Sequence, residues 1–280
     1  MSPGGIPVHT GWMPEGMWVA ITLDNIAAAH LARGDGDLDV VAGHQGDVVD
    51  RQHVGRVRHR EQQAALTDEQ RQAVANLLTG AGADRVISAD LHAGQLQGFF
   101  DIPVDNLTGI ALLAGYFREV LACDTESSPP TIVAPDVGGV VRARKFAGIL
   151  KTDLAVVDKR RSHEVANLCE VMDVIGDVQG KTAIMVDDII DTAGTICNAA
   201  ALLKERGAVK IFACATHGVL SGPALERLEH SAIDSVILTD TIPLPESKKS
   251  AKIVQLSIAP LFAEAILRVH SDRSVSSLFD

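Results

Sequence analysis

From residue 130 onward, short aliphatic runs alternate with amphipathic stretches, and this rhythm leaves the chain few ways to fold. "TIVAP", "LAVVD", "KTAIMVDD", "KIFACAT", "SVILTD" and "AKIVQLSI" read as strands. "GVVRARKFAGIL", "AGTICNAAALLKERG", "GPALERLEHS" and "APLFAEAILRVHS" read as helices. Strands that are apolar on nearly every residue must be covered on both faces, which parallel sheets flanked by helices provide. Composition agrees, because 46% of the chain is apolar but only 4% aromatic, so the core must be aliphatic. The expected fold class is α/β, with doubly wound parallel sheets.

The 280 residues are enough for two domains. Upstream of the regular region, an apolar-periodic helix over about 68–80 precedes a Gly-containing turn and the strand "RVISAD". A second helix runs from about Gly109 to Leu121, and the polar, proline-terminated "CDTESSPP" then reads as a linker. The expectation is an N-terminal α/β domain over 1–121 and a second over 129–258, with a closing helix over about 259–272 returning to pack on the first. Residues 1–75 are atypical. They are rich in Gly, His and Asp, and their strand-like pieces, "MWVAITL" and "LDVVAG", do not alternate cleanly with helices.

Charge and cysteine usage exclude several classes. A net charge of −11 argues against a nucleic-acid surface, which needs clustered Lys and Arg. No run approaches the roughly 20 apolar residues of a membrane helix, and no basic-then-apolar leader opens the chain. Cys123, Cys169, Cys197 and Cys214 form no C-x-x-C pair and read as reduced thiols. These features together predict a cytoplasmic protein.

The chemistry concentrates in "MVDDIIDTAGT", residues 185–195. An apolar strand ends in Asp187 and Asp188, and a small-residue turn from Asp191 through Thr192, Ala193 and Gly194 to Thr195 opens a helix. In doubly wound sheets, ligands bind beyond the carboxyl ends of the strands. Amides of a turn and of a helix N-terminus converge there and carry partial positive charge, which suits a phosphate. Gly194 permits close approach, Thr192 and Thr195 add hydroxyls, and the acids are placed for vicinal sugar hydroxyls or a divalent cation. The bland alternative is a solvated acidic turn before a capped helix, but the full eleven-residue pattern is uncommon.

This stretch resembles the phosphoribosyl-diphosphate loop shared by phosphoribosyltransferases and ribose-phosphate diphosphokinases. "DLHAGQLQGFFDIPVDNL" (90–107), "PDVGGVVRARKFA" (135–147), "VVDKRRS" (156–162) and "APLFAEAILRVHSDRSVSSLF" (259–279) are similar to the diphosphokinase family, also called PRPP synthetases. Phosphoribosyltransferases carry the loop without these companions. The resemblance covers about residues 73–280.

It implies transfer of the diphosphoryl group of ATP to the 1-hydroxyl of ribose 5-phosphate, giving PRPP and AMP, with Mg²⁺. On that match Lys159 is the catalytic cation, in a mobile "KRR" loop that closes over the reactants. Arg161, Asp187, Asp188 and Asp191 to Thr195 bind ribose 5-phosphate, and His92 and Asp136 are associated with the metal. The family also implies a homo-oligomer, commonly a hexamer, with ATP near a subunit contact, and no nucleic-acid or membrane partner. A catalytically silent subunit, or a phosphoribosyltransferase, are the rival readings.

Two departures stand out. The segment "SHEVANLC" between "KRR" and "EVM" is slightly longer than the family form. The first 75 residues carry neither the acidic Phe-x-Asp-Gly-Glu-like turn nor the Arg-Gln-Asp run with which the family holds ATP, so no ATP-binding residues are assigned there. No lysine precedes Lys145. Together with the Gly-His-Asp-Arg-Val excess, this is the composition that a shifted reading frame in GC-rich DNA would produce.

Overall fold

A computed structural model describes residues 17–21, 67–123, 130–160 and 171–278. The strand-like "LDVVAG", residue Arg161 and the "SHEVANLC" segment lie outside the described residues. The described chain forms two sheets, one of three strands and one of seven.

The smaller sheet has the order β1 (Met17–Ile21), β2 (Ala83–Ala89), β3 (Val104–Leu107), all parallel. Helix α1 (Asp68–Gly80) leads into β2. A capping box starts it: the Gln70 N–H donates to Thr67 Oγ1 at 3.3 Å, and the Thr67 N–H donates to the Gln70 side chain at 2.9 Å. Asp68 and Glu69 add negative charge where the helix dipole favours it. Strand β3 falls within "DIPVDNL", which carries no strand-like alternation; pairing with β2, Ile87 opposite Asp105, makes it a strand.

Helix α2 (Ile110–Cys123) leads toward the larger sheet, whose strand order is β10-β9-β8-β7-β4-β5-β6. These strands are β4 (Pro130–Ala134), β5 (Asp153–Arg160), β6 (Val171–Ile175), β7 (Thr182–Ile190), β8 (Lys210–Gly218), β9 (Ser235–Thr239) and β10 (Ile253–Leu256). All pairs are parallel except β5 with β6. Helices α3 (Val140–Leu150), α4 (Gly194–Glu205) and α5 (Ala224–Glu229) make the crossovers, and α6 (Ala259–His270) closes the chain.

The chain winds from β4 toward β5 in one direction and from β7 toward β10 in the other. Crossovers in such sheets are right-handed, so reversing direction puts the helices on opposite faces. Alternate residues of β7 record this. Ala183 and Met185 pack with Ile196, Ala199 and Leu203 of α4, while Ile184 and Val186 pack with Phe117 of α2 and Phe146 of α3. The direction reverses between β4 and β7, which opens a crevice at their carboxyl ends.

Two features differ from the sequence reading. The segment "VMDVI" becomes an antiparallel edge strand, and it ends at Gly176, whose φ of 112° and close approach to Ala155 exclude a side chain. Lys159 and Arg160 lie within β5, paired with Met172 and Val171, because the returning β6 extends the ladder. The smaller sheet's second face is covered from the far end of the chain: Ile87 and Leu107 pack with Ala265 and Val269 of α6.

Candidate active site

The crevice at the ends of β4 and β7 gathers most of the residues singled out in the sequence. Strand β7 runs past the two acids to Ile190, because β8 continues alongside with Asp187 opposite Ala215 and Ile189 opposite His217. Asp188 is 2% exposed. A carboxylate buried to this degree needs partners, and it has them. Its Oδ2 lies 3.1 Å from Arg142 Nη2 and 2.8 Å from His92 Nδ1. Arg142 Nη1 also donates to Asp187 Oδ1 at 3.3 Å, so one guanidinium spans both acids.

The two carboxyl groups are driven apart. Burial pushes the Asp187 carboxyl up, and the neighbouring Asp188 adds to this, to about 7. Burial acts on Asp188 too, but the Arg142 guanidinium, then hydrogen bonds with Asp187 and His92, outweigh it and hold Asp188 below the usual carboxylate range. Asp188 is therefore the fixed anion of the pair, and Asp187 exchanges its proton near neutrality.

Beyond the acids the chain turns sharply. Ala193 has φ 59°, a left-handed conformation that costs a residue with a Cβ about 1 kcal/mol or more. The turn is braced from behind. The Ser221 hydroxyl donates to Asp191, the Ser221 N–H donates to the Asp191 carbonyl at 3.1 Å, and Arg227 Nη1 donates to the Thr192 carbonyl at 2.9 Å. Helix α4 then begins with no capping side chain and no acid in its first turn. Its first amides carry partial positive charge, which suits an anion. Thr195 is exposed and Thr192 half-buried at this end.

Asp136 follows β4 and is exposed; its Oδ1 accepts the Gly139 N–H at 2.9 Å, closing the turn into α3. The structure brings His92 onto Asp188. Among the described residues, no three His, Cys, Asp or Glu side chains converge on a common point. Lys159 holds the penultimate position of β5, next to β4 in the sheet. Arg161 lies outside the described residues.

Arg142, Ser221 and Arg227 are the residues that sequence reasoning missed. Arg142 sits one turn into the helix after "PDVGG", where a cation pointing back at the sheet edge is a usable signal. Ser221 and Arg227 come from β8–α5, and no local pattern announces them. Among the described residues, no helix is long and apolar enough to cross a membrane.

Comparisons with known proteins agree with the motifs. A family model described as the phosphoribosyl synthetase-associated domain matches residues 162–280. The ribose-phosphate pyrophosphokinase of Caldanaerobacter subterraneus is 59% identical over 206 residues, 74% of this chain and 63% of that protein. Ribose-phosphate pyrophosphokinase 1 of Lactococcus lactis is 56% identical over 207 residues, again 74% of this chain and 63% of the relative. The crystal structure of phosphoribosylpyrophosphate synthetase from Mycobacterium smegmatis superimposes with a TM-score of 0.64 at 44% identity, covering 72% of this chain and 64% of that one. The chain thus spans a little under two thirds of the length of these relatives. Across the matched three quarters of its own length, it is similar to ribose-phosphate pyrophosphokinases.

Proposed function

We propose that the protein is a ribose-phosphate diphosphokinase, moving the diphosphoryl group of ATP to the 1-hydroxyl of ribose 5-phosphate to give PRPP and AMP. The observation that carries this reading is the Asp187–Asp188 pair, gripped by Arg142 and His92, directly before a helix N-terminus that no side chain caps. The 5-phosphate sits on the amides and hydroxyls of Asp191 to Thr195, with Arg161 as a further phosphate partner. Asp187 and Asp188 take the vicinal hydroxyls, and Arg142 keeps Asp188 ionised and oriented for that contact.

Phosphoryl transfer is driven by positioning and by stabilising charge on the phosphoryl oxygens. Lys159 is the cation assigned to that charge. Mg²⁺ keeps several waters and is typically held by one or two protein oxygens plus substrate phosphates. The donor set here fits that habit, with an exposed Asp136 carboxylate, the exposed ring of His92 and no all-protein cage among the described residues. Asp136 and His92 would hold the ion, which neutralises phosphate charge when bound. We further propose domain limits near the 124–129 linker, a cytoplasmic location and assembly as a homo-oligomer.

The test is AMP formation from ATP and Mg²⁺ by the full chain, with and without ribose 5-phosphate. Ribose-dependent AMP is expected. Ribose 5-phosphate binding without AMP would overturn the activity. Lys159→Ala should slow AMP formation by about 10²-fold or more, with ribose 5-phosphate affinity unchanged; if it mainly weakened binding, the role given to Lys159 would be wrong.

A further inference from the structure

The two sheets are tied together by a partly buried polar contact that the proposed reaction does not use. At the end of β2, the Asp90 Oδ2 accepts the Gly109 N–H at 2.7 Å and the Thr216 hydroxyl at 2.5 Å. Thr216 and the next residue, His217, lie at the end of β8 and are 2% and 3% exposed. The His217 Nε2 faces two carbonyls, Ala89 at 3.1 Å and Asp90 at 3.3 Å, so it carries a proton and donates. Its Nδ1 lies 2.9 Å from the Thr241 hydroxyl beyond β9. The Thr239 hydroxyl donates to the Thr216 carbonyl at 2.6 Å. The partners are 126 and 127 residues apart in the chain.

Position gives this contact its consequence. Asp90 has φ 42°, a left-handed conformation, so the chain leaves β2 at a sharp angle. Two residues later His92 reaches Asp188, which the β7–β8 register sets beside Thr216. The approach is tight: a Cβ at Gly109 would come within 2.7 Å of Thr216 Oγ1. A shift of the β2 end along β8 would carry His92 off Asp188, because no other hydrogen bond among the described residues ties Ala89 or Asp90 to the larger sheet.

We propose that Asp90, through Thr216 and His217, is a positioning residue that latches the smaller sheet onto the larger one and so sets His92 on Asp188. The latch serves the half of the site that His92 occupies. It leaves the phosphate turn of Asp191 to Thr195 alone, since that turn is braced independently by Ser221 and Arg227. The part of the proposal that concerns turnover rests on the diphosphokinase reading.

The experiment uses the full chain with Asp90→Ala, Asp90→Asn and Thr216→Val, and three readouts. These are the ¹⁵N signature of the His92 ring nitrogens, ribose 5-phosphate binding by calorimetry, and AMP formation. In Asp90→Ala the hydrogen-bonded Nδ1 signature of His92 is lost and turnover falls by about 10²-fold, as a displacement of about 1 Å can cause, while ribose 5-phosphate affinity is kept. Asp90→Asn retains an acceptor oxygen and restores both. Thr216→Val removes one donor at constant shape, so it shifts the same signal less, and it serves if Asp90→Ala does not fold. An unchanged His92 signature in folded Asp90→Ala or Thr216→Val, or ribose 5-phosphate affinity falling in step with turnover, would overturn the latch. If the unaltered protein makes no AMP, the reaction reading fails, and the His92 signature still decides the latch.

Discussion

The two sheets of this protein are built from the same kind of unit but stand on different footings. The seven-stranded sheet is buried on both faces by its crossover helices together with α2. One face packs Met185, Leu203, Ile211 and Leu228, and the other packs Phe117, Phe146, Ile132 and Ile184. The three-stranded sheet has two much smaller clusters among the described residues. Leu78, Ala83, Leu91 and Leu96 form one, and Ile87 and Leu107 form the other with Ala265 and Val269 of α6. The larger sheet can hold its shape from sequence-local pieces. The smaller one takes half its core from the end of the chain and its placement from the Asp90 contacts. The turn of Asp191 to Thr195 belongs to the first kind of structure, and His92 belongs to the second.

That contrast can be broken by mutation. The largest expected effect is in the larger core. Phe117 is fully buried and meets Phe146 and Phe212 edge-to-face, at centroid separations of 6.1 and 5.6 Å. Phe117→Ala should cost about 3–5 kcal/mol by urea denaturation and lower both the urea midpoint and ribose 5-phosphate affinity. Leu78→Ala in the smaller cluster should cost about 2–3 kcal/mol and leave that affinity intact. Equal effects on binding would mean the two sheets are one cooperative unit.

Next comes the bridge between them. Asp188→Ala leaves Arg142 facing Asp187 alone and removes one partner of His92, at a cost of about 3 kcal/mol, and should weaken ribose 5-phosphate binding. Unchanged binding would reduce Asp188 to a structural ion-pair partner.

A smaller effect separates the two acids by pH. The folded-state value of Asp187 is raised from 3.8 to about 7. Between those values the unfolded chain has released the proton that the folded chain keeps, so stability falls as pH rises through this window. Asp187→Asn removes that penalty and keeps an acceptor for Arg142. Its stability relative to the parent should therefore grow from pH 4 to pH 7 and level off above, by about 1–3 kcal/mol in all. A difference independent of pH, followed by thermal unfolding, would show that Asp187 ionises normally. The smallest effect is at the edge of the smaller sheet, where Thr67→Ala removes the α1 cap and should cost about 1 kcal/mol. Hydrogen exchange should rise in α1 and stay unchanged in α4.

Much of this was readable beforehand. Each strand and helix expected after residue 130 is present, because an aliphatic run covered on both faces and a 3.6-residue period are properties of short segments. The turn of Asp191 to Thr195 was readable for the same reason, since strand, acids, small turn and helix start lie within eleven residues. The sequence did not mark β3 or β6 as strands. "VDNL" lacks alternation, and "VMDVI" says nothing about direction, which pairing with β5 alone decides.

By itself, then, the amino-acid sequence determined the α/β class, the doubly wound order and the small-residue turn that opens α4. Local periodicity and turn chemistry act over a few residues and need no partner to be expressed. Only the tertiary structure decided which cation grips the paired acids, that His92 lies on Asp188, and that Asp90 joins two sheets through Thr216 and His217. Those contacts link residues 45 to 127 positions apart. Their free energy exists only once the sheets are docked and water is excluded, because burial is what makes a hydrogen bond or ion pair of this kind select one arrangement over its neighbours.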